Sequence, residues 1–413
     1  MTSPADPPAG SLRAGHRALP VVVAALLAGT LLTGAGAVWA ARDTTPGVAR
    51  EVSAAAAVEP APVRAPVLTA VAPSGPRAAA AWDAPLTLVV AAGTLRDITV
   101  LDPDGVSLAG TLEAASWRSV ASSLLPAASY RVTASVLDAT GGEHPLALTV
   151  RTSPATRVLH ATLSPGDGAV VGVGQPVIVR LDRPVTEGTD RALLVQRLQV
   201  ATTPPVQGGW RWMADDELHY RPPTYWAAGT RVSVAANLHR LRLSAGTWGS
   251  GRRTTTYRVG DAMVSTVDVK AHTMTVRRNG KVLKVVKVST GSAKFPTHNG
   301  VHLVLEKTKL KTMDSSTIGI PRNGPGGYFL KVPNSVRISY SGEFVHSAPG
   351  TVRQQGVANV SHGCVNLSPA DAAWFFGLAK RGDVVNVTGS PLKPLSYDPG
   401  TSDWNTPFSA WVN

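Results

Sequence analysis

The 413-residue sequence carries 40 Lys and Arg against 27 Asp and Glu, a net charge of +13 with an isoelectric point near 10.2. Its length exceeds what one ordinary core serves and divides into about three domains of roughly 100–150 residues, and its single cysteine excludes an intramolecular disulfide. The basic balance favours an anionic wall or membrane surface, while the lack of zinc-finger spacing, an RNA-binding signature or a basic helix excludes nucleic acid as the expected partner.

Arg13, His16 and Arg17 precede an uncharged run from Ala18 to Ala41, about long enough to span a bilayer, and Arg42 and Asp43 close it. Positive charge on the near side places the remainder outside the cytoplasm, on the wall side of the plasma membrane. Ala35-Gly36-Ala37 offers a cleavage site, but the length of the run favours a single uncleaved anchor over a cleaved signal. Residues 1–43 are therefore expected to be a cytoplasmic segment and anchor. Residues 44–77, rich in Ala, Pro and Val, read as a linker.

From 78 to 153 short alternating runs such as Leu86-Thr87-Leu88-Val89-Val90 and Tyr130 to Val136, broken by Gly and Pro, predict a β-sandwich. A weaker copy follows over 154–258. Trp117 through Ala128-Ser129-Tyr130-Arg131-Val132 is echoed, roughly one hundred residues on, by Trp212 through Gly229-Thr230-Arg231-Val232, which suggests two immunoglobulin-like modules acting as spacers. His219, His239, Asp215, Asp216 and Glu217 lack any metal-ligand spacing and read as solvated loop residues.

A third domain is expected over 259–391. Runs at 264–269, 273–277 and 281–288 alternate as strands, and Asn279-Gly280 marks a tight hairpin between the last two. Ser289-Thr290-Gly291 and Pro296 to Gly300 read as turns leading to a strand at 301–306. Ser368 as N-cap, Pro369 at the first helical position, Asp371 in the first turn and an apolar face of Trp374, Phe375 and Leu378 predict a helix that ends before Gly382. The last stretch, 392–413, with Trp404, Phe408 and Trp411 at helical spacing, is expected to pack as an aromatic tail on this third domain.

The lone cysteine falls in Ser361-His362-Gly363-Cys364-Val365-Asn366, with fourteen residues between Ser361 and His346, which opens His346-Ser347-Ala348-Pro349. A thiol needs a neighbouring base to become an effective nucleophile, and a histidine upstream supplies one. The competing reading, a small buried core residue, explains neither the histidines nor the glycine. In an acyl transfer Cys364 is the nucleophile and His346 the base. Ser347 orients the imidazole through its carbonyl, and backbone N–H groups at Gly363 and Cys364 meet the oxyanion. His362 tunes the electrostatics or holds the loop, and Ser361 reads as a turn residue bonding its own backbone.

This pattern resembles the active-site signature of the L,D-transpeptidases, whose YkuD-type catalytic domain is a mostly β sandwich with a short helix after the nucleophile. The arrangement of two immunoglobulin-like modules ahead of it is similar to the mycobacterial type. The resemblance implies a cysteine acyltransferase of the bacterial wall that takes a peptidoglycan tetrapeptide stem as donor, releases its terminal D-Ala and joins the acyl group to a neighbouring acceptor stem as a 3→3 cross-link. An L,D-carboxypeptidase acting through the same acyl-enzyme and a non-enzymatic wall-binding scaffold remain the alternatives. Substrate contacts implied by the resemblance are Tyr328, Ser341, Gly342 and Asn366. Met313 and Tyr328 bracket a lid expected over 308–328, with glycines at 319, 324, 326 and 327 to let it move. Carbapenem β-lactams are the implied inhibitors. No cofactor is expected, and no metal, because the turn Leu241-Arg242-Leu243-Ser244-Ala245, where some relatives place acidic ligands, has no carboxylate.

Overall fold

The computed structural model describes residues 64–71, 79–121, 123–396 and 402–412. The run at 18–41, and with it the anchor expectation, and the linker residues 44–63 and 72–77 lie outside the described residues; the linker expectation is corrected at Val67–Ala70, which pairs with 87–91 as a strand of the first sandwich. Among the described residues no helix is long and apolar enough to cross a membrane.

The chain is mostly β. In the first sandwich, strands at 67–70, 87–91, 116–119 and 110–112 face a sheet of 94–101, 129–137 and 143–151. Strict alternation over 129–137 sends Tyr130, Val132, Ala134 and Val136 inward, where they meet Leu88, Val90 and Trp117 from the opposite sheet. The second sandwich pairs a sheet of 209–214, 217–221, 177–181 and 161–164 with one of 170–171, 252–259, 231–237 and 198–203. The two segments matched in the sequence echo, Tyr130 to Val132 and Thr230 to Val232, both enter inner strands. An eight-residue helix, Gly188–Val195, interrupts this otherwise β unit and was not expected from the sequence. Its Asp190 accepts from the N–H and hydroxyl of Ser244, so a carboxylate reaches the 241–245 turn from elsewhere in the chain.

The remaining sandwich positions the site, and its elements are labelled here. Strands β1 (Met263–Asp268), β2 (Thr273–Arg278), β3 (Lys281–Lys287), β4 (Gly300–Leu303), β5 (Glu306–Asp314), β6 (Phe329–Arg337), β7 (Phe344–Ser347), β8 (Val365–Leu367) and β9 (Val384–Thr388) accompany one helix, α1 (Pro369–Leu378). They form two sheets, ordered β3-β2-β1-β9-β4 and β5-β6-β7-β8. Asn279 and Gly280 both adopt positive φ (49° and 81°), the backbone a two-residue hairpin between right-twisting strands requires. Val267, Met274, Val276 and Val385 of the first sheet close on Val336, Val345, Val365 and Leu367 of the second. Helix α1 starts where its sequence says: Ser368 Oγ accepts from Asp371 N at 3.1 Å with Pro369 behind it. Its Phe375 and Ala372 reach the core, while Trp374 and Leu378 are only partly covered.

The C-terminal tail touches the catalytic sandwich through Asn405, whose side chain bonds both backbone groups of Val301. Its aromatics, expected on that domain, instead cover strands 209–214 and 217–221 of the second sandwich. Trp411 donates to Gly209 O at 2.9 Å, and the guanidinium of Arg221 lies 4.7 Å from the Trp404 ring centre and 4.4 Å from that of Trp411. Fully buried His219, read from sequence as a loop residue, bridges Asp403 (2.7 Å) and Glu217 (2.6 Å). Burial alone would push the imidazole's pKa down, but the two carboxylates overcome it and raise it to about 9. A histidine raised above its unfolded value of about 6.5 stabilises the fold fully below that pH, and the contribution is lost as pH rises through 9. Asp403→Asn, which strips the buried imidazolium of one partner, is expected to cost about 3–5 kcal/mol by chemical denaturation at pH 7. The deficit relative to wild type should shrink above pH 9.

Candidate active site

Strands β7 and β8 run parallel with His346 abreast of Asn366 and Val345 abreast of Val365. Cys364 immediately precedes β8, so the two-residue period puts Cys364, Asn366 and His346 on one face of the sheet. All three line a cavity of about 180 Å³, together with Met313, Tyr328 and His362. Residues brought together from 313 to 366 thus share one wall.

The loop that carries the thiol is tied from several directions. Ser361 Oγ donates to Cys364 O at 2.6 Å and accepts from Gly363 N at 3.1 Å. Gly363 sits at φ +112°, open only to glycine, and its carbonyl accepts from Thr297 Oγ1 at 2.7 Å. Ser361 N and Asn366 N donate to the carbonyls of Thr290 and Ser289, which fastens both ends of the motif to the segment after β3. One expectation is corrected here: the Gly363 N–H is bound to Ser361 Oγ and does not face the cleft.

His346 is buried, and its Nδ1–H donates to the Ser347 carbonyl at 2.9 Å. That bond fixes the tautomer and leaves a lone pair on Nε2. Burial lowers the imidazole's pKa. The thiol is half-buried and its Sγ–H points to Gly342 O at 3.8 Å. Burial pushes its pKa up to about 12. Both shifts oppose charge separation: burial favours the neutral thiol and the neutral imidazole on the wall of one cavity.

Asn366 donates to Thr351 Oγ1 at 3.2 Å, and its buried Oδ1 has no partner, an unspent acceptor on the cleft wall. The His362 ring is held between Phe295 (4.6 Å) and Tyr328 (5.3 Å). Gly326 comes so close that a Cβ there would lie 3.2 Å from His362 Nε2. Met313 and Tyr328 also line a second cavity of about 300 Å³ that holds Ser341, Gly342, Lys311 and Arg337. These two side chains therefore stand between the thiol chamber and its neighbour.

The expected lid is shorter than its sequence suggested. Thr308 to Asp314 belongs to β5 and is laddered to β6, so only residues 315–328 form a loop. That loop is anchored by Asp314, which caps Ser316 and forms a bidentate pair with Arg322. The Arg322 pair and the serine hydroxyl hold the Asp314 carboxyl well below the usual range. Among the described residues no group of His, Cys, Asp and Glu is arranged to hold a metal ion.

The family model for the L,D-transpeptidase catalytic domain (YkuD) matches residues 262–387, and that for a bacterial Ig domain (Big_10) matches residues 77–242. L,D-transpeptidase 2 of Mycobacterium tuberculosis (strain CDC 1551 / Oshkosh) is 38% identical over 330 residues, 80% of each chain. L,D-transpeptidase 1 of Mycobacterium tuberculosis (strain ATCC 25618 / H37Rv) is 41% identical over 229 residues, 55% of this chain and 84% of its own. A solved L,D-transpeptidase in complex with imipenem is 39% identical and covers 55% of this chain and 97% of that one, at a TM-score of 0.48.

Proposed function

The chain belongs to the L,D-transpeptidase family of cysteine-dependent acyltransferases, and we propose that it forms 3→3 peptidoglycan cross-links through a thioester on Cys364. The observation that carries this reading is the shared face of β7 and β8, on which Cys364, His346 and Asn366 line one cavity.

Substrate entry replaces the Gly342 carbonyl as the partner of the Sγ–H. His346 Nε2 takes the thiol proton as sulfur attacks the carbonyl carbon of the donor stem's third residue, so the thiolate exists only during attack. The oxyanion is met by the Cys364 N–H, since the Gly363 N–H is already bound. Collapse breaks the amide bond, and D-Ala leaves with the proton held by His346. The side-chain amine of a neighbouring stem's third residue then gives its proton to His346, attacks the thioester and releases the thiol. The spare acceptor at Asn366 Oδ1 suits an N–H or ammonium group of a stem. Tyr328, Met313, Ser341 and Gly342 shape the passage between the two chambers. His362 holds the loop through its two ring contacts and takes no proton.

The sandwich modules over 78–153 and 154–258 act as spacers that carry the 259–391 domain to the wall outside the cytoplasm. With a disaccharide tetrapeptide alone, D-Ala release is expected. With an acceptor stem added, cross-linked dimers should appear by mass spectrometry. Tripeptide as sole product at every acceptor concentration would instead identify a carboxypeptidase.

Carbapenems are expected to give a one-to-one adduct on Cys364 by intact mass. The strained amide opens on sulfur and leaves no small amine to diffuse away, so the thioester persists. The adduct should be absent from Cys364→Ala; a mass shift in that variant would move the nucleophile elsewhere.

A further inference from the structure

A cluster of ionisable groups lies behind the catalytic loop, and the acyl-transfer chemistry makes no use of it. Glu343 stands in the chain between Gly342, whose carbonyl receives the thiol hydrogen, and Phe344, the first residue of β7. Its side chain is buried and lines neither chamber. It lies against the residue before the nucleophile: a Cβ added at Gly363 would meet Glu343 Cγ at 3.7 Å and Oε1 at 3.9 Å.

Two histidines occupy the carboxylate. Oε1 accepts from the backbone N–H of His298 at 2.8 Å and from its Nδ1–H at 2.9 Å, and Oε2 accepts from His302 Nε2–H at 3.1 Å. The other nitrogen of His302 faces Gly300 O at 3.1 Å. His302 has no exposure at all, and its two nitrogens face the Glu343 carboxylate and the Gly300 carbonyl. Glu343 and His302 are therefore a buried hydrogen-bonded pair. Burial would raise the Glu343 carboxyl, but its bonds to His298 and His302 hold it down to about 2.

We infer that Glu343, gripped by His298 and His302, is a positioning residue for the nucleophile: it pins the Gly342–Phe344 segment around Cys364 and sets a compensated negative charge behind Gly363. This rests on reading Cys364 as the nucleophile. The segment is held at its ends by Ser339 Oγ, which accepts from Glu343 N at 3.0 Å, and by the β6–β7 ladder. Its side-chain anchor is the histidine pair on the opposite sheet and the turn before it. The groups that face Cys364 are Glu343, whose charge disfavours a thiolate, Arg337, which favours one, and Tyr328, His346 and His362 on the cavity wall. His298 and His302 face Glu343. A neutral thiol in the empty cleft resists stray electrophiles, and the device keeps it so until a carbonyl sits beside it.

Cys364 is the chain's only thiol, so the rate of iodoacetamide alkylation of the full chain at pH 7 reads it alone, whatever its substrate. Glu343→Gln removes the negative charge and should raise that rate about tenfold. His302→Gln leaves Glu343 charged without its imidazole partner and should lower the rate. D-Ala release should fall roughly tenfold in kcat in Glu343→Gln with KM little changed, because alignment is lost and binding is not. Opposite shifts support the inference; no shift, or shifts in one direction, would overturn it as general loosening. If Glu343→Gln does not fold, His302→Gln decides alone, an unchanged or raised rate counting against the proposal. Full D-Ala release by Cys364→Ala would instead sink the nucleophile assignment while leaving the alkylation shifts to be read.

Discussion

Cys364→Ala is expected to abolish D-Ala release from a disaccharide tetrapeptide, a loss on the order of 10⁴-fold or more, because no other group in the cleft can form the covalent intermediate. The fold should survive. The sulfur makes one long hydrogen bond, to Gly342 O at 3.8 Å, and its side chain is only half-buried. Losing that bond costs less than about 1 kcal/mol, while the loop remains held by Ser361, Thr297 and the Ser289–Asn366 pairing. Thermal unfolding of the variant should therefore match wild type, and chromatographic assay of D-Ala decides the chemistry. Measurable turnover in a correctly folded Cys364→Ala protein would remove the thioester from the mechanism.

His346→Gln is expected to lower D-Ala release by about 10²–10⁴-fold, since glutamine preserves a hydrogen bond but cannot carry a proton. The pH profile supplies the sharper reading. Burial lowers the His346 pKa, so the base stays neutral and competent below the ordinary histidine value of about 6.5. The acid limb of kcat/KM should accordingly fall below pH 6.5 in wild type and vanish in the variant. An acid limb above 6.5 would mean that the imidazolium is favoured and that the resting pair is ionic. The neutral pair described above also predicts slow iodoacetamide labelling of the wild-type chain at pH 7, because a thiol pushed up to about 12 is almost wholly protonated there.

How much of this could be read from the chain depended on the range of the determinant. Asn279-Gly280 and Ser368-Pro369 act within four residues, by permitting positive φ or supplying a cap, and both appear where the sequence put them. The spacing from His346 to Cys364 was legible as a pattern, because two short parallel strands joined by a loop leave a fixed interval. The partners from outside the motif were not. Thr297, Ser289 and Thr290 looked like ordinary turn residues, and nothing local says that the Thr297 hydroxyl meets Gly363, or that the backbones of Thr290 and Ser289 meet Ser361 and Asn366, some seventy residues on. Glu343 sat in a strand-like run, and only the folded sheet brings His298 and His302 to it. The glycines at 319–327 were sound evidence for a loop, but they speak only for their own neighbourhood. The period-two pattern from 306 to 314 belonged to β5, where lysines on an exposed edge mask the alternation. The aromatic tail was correctly read as packed, but hydrophobicity alone does not name the surface it covers.

The tail gives the second sandwich an order of assembly. Strand 217–221 leaves the ribosome roughly 185 residues before Asp403 and Trp411 can reach it. During that interval His219 and Arg221 have none of their tail partners, and the apolar face around Gly209 is bare. The module is thus complete only once the catalytic sandwich between them has also emerged. A chain broken anywhere after the second module would display that unfinished face to proteases, so this single strap makes intactness of the catalytic domain a condition for survival of the second sandwich.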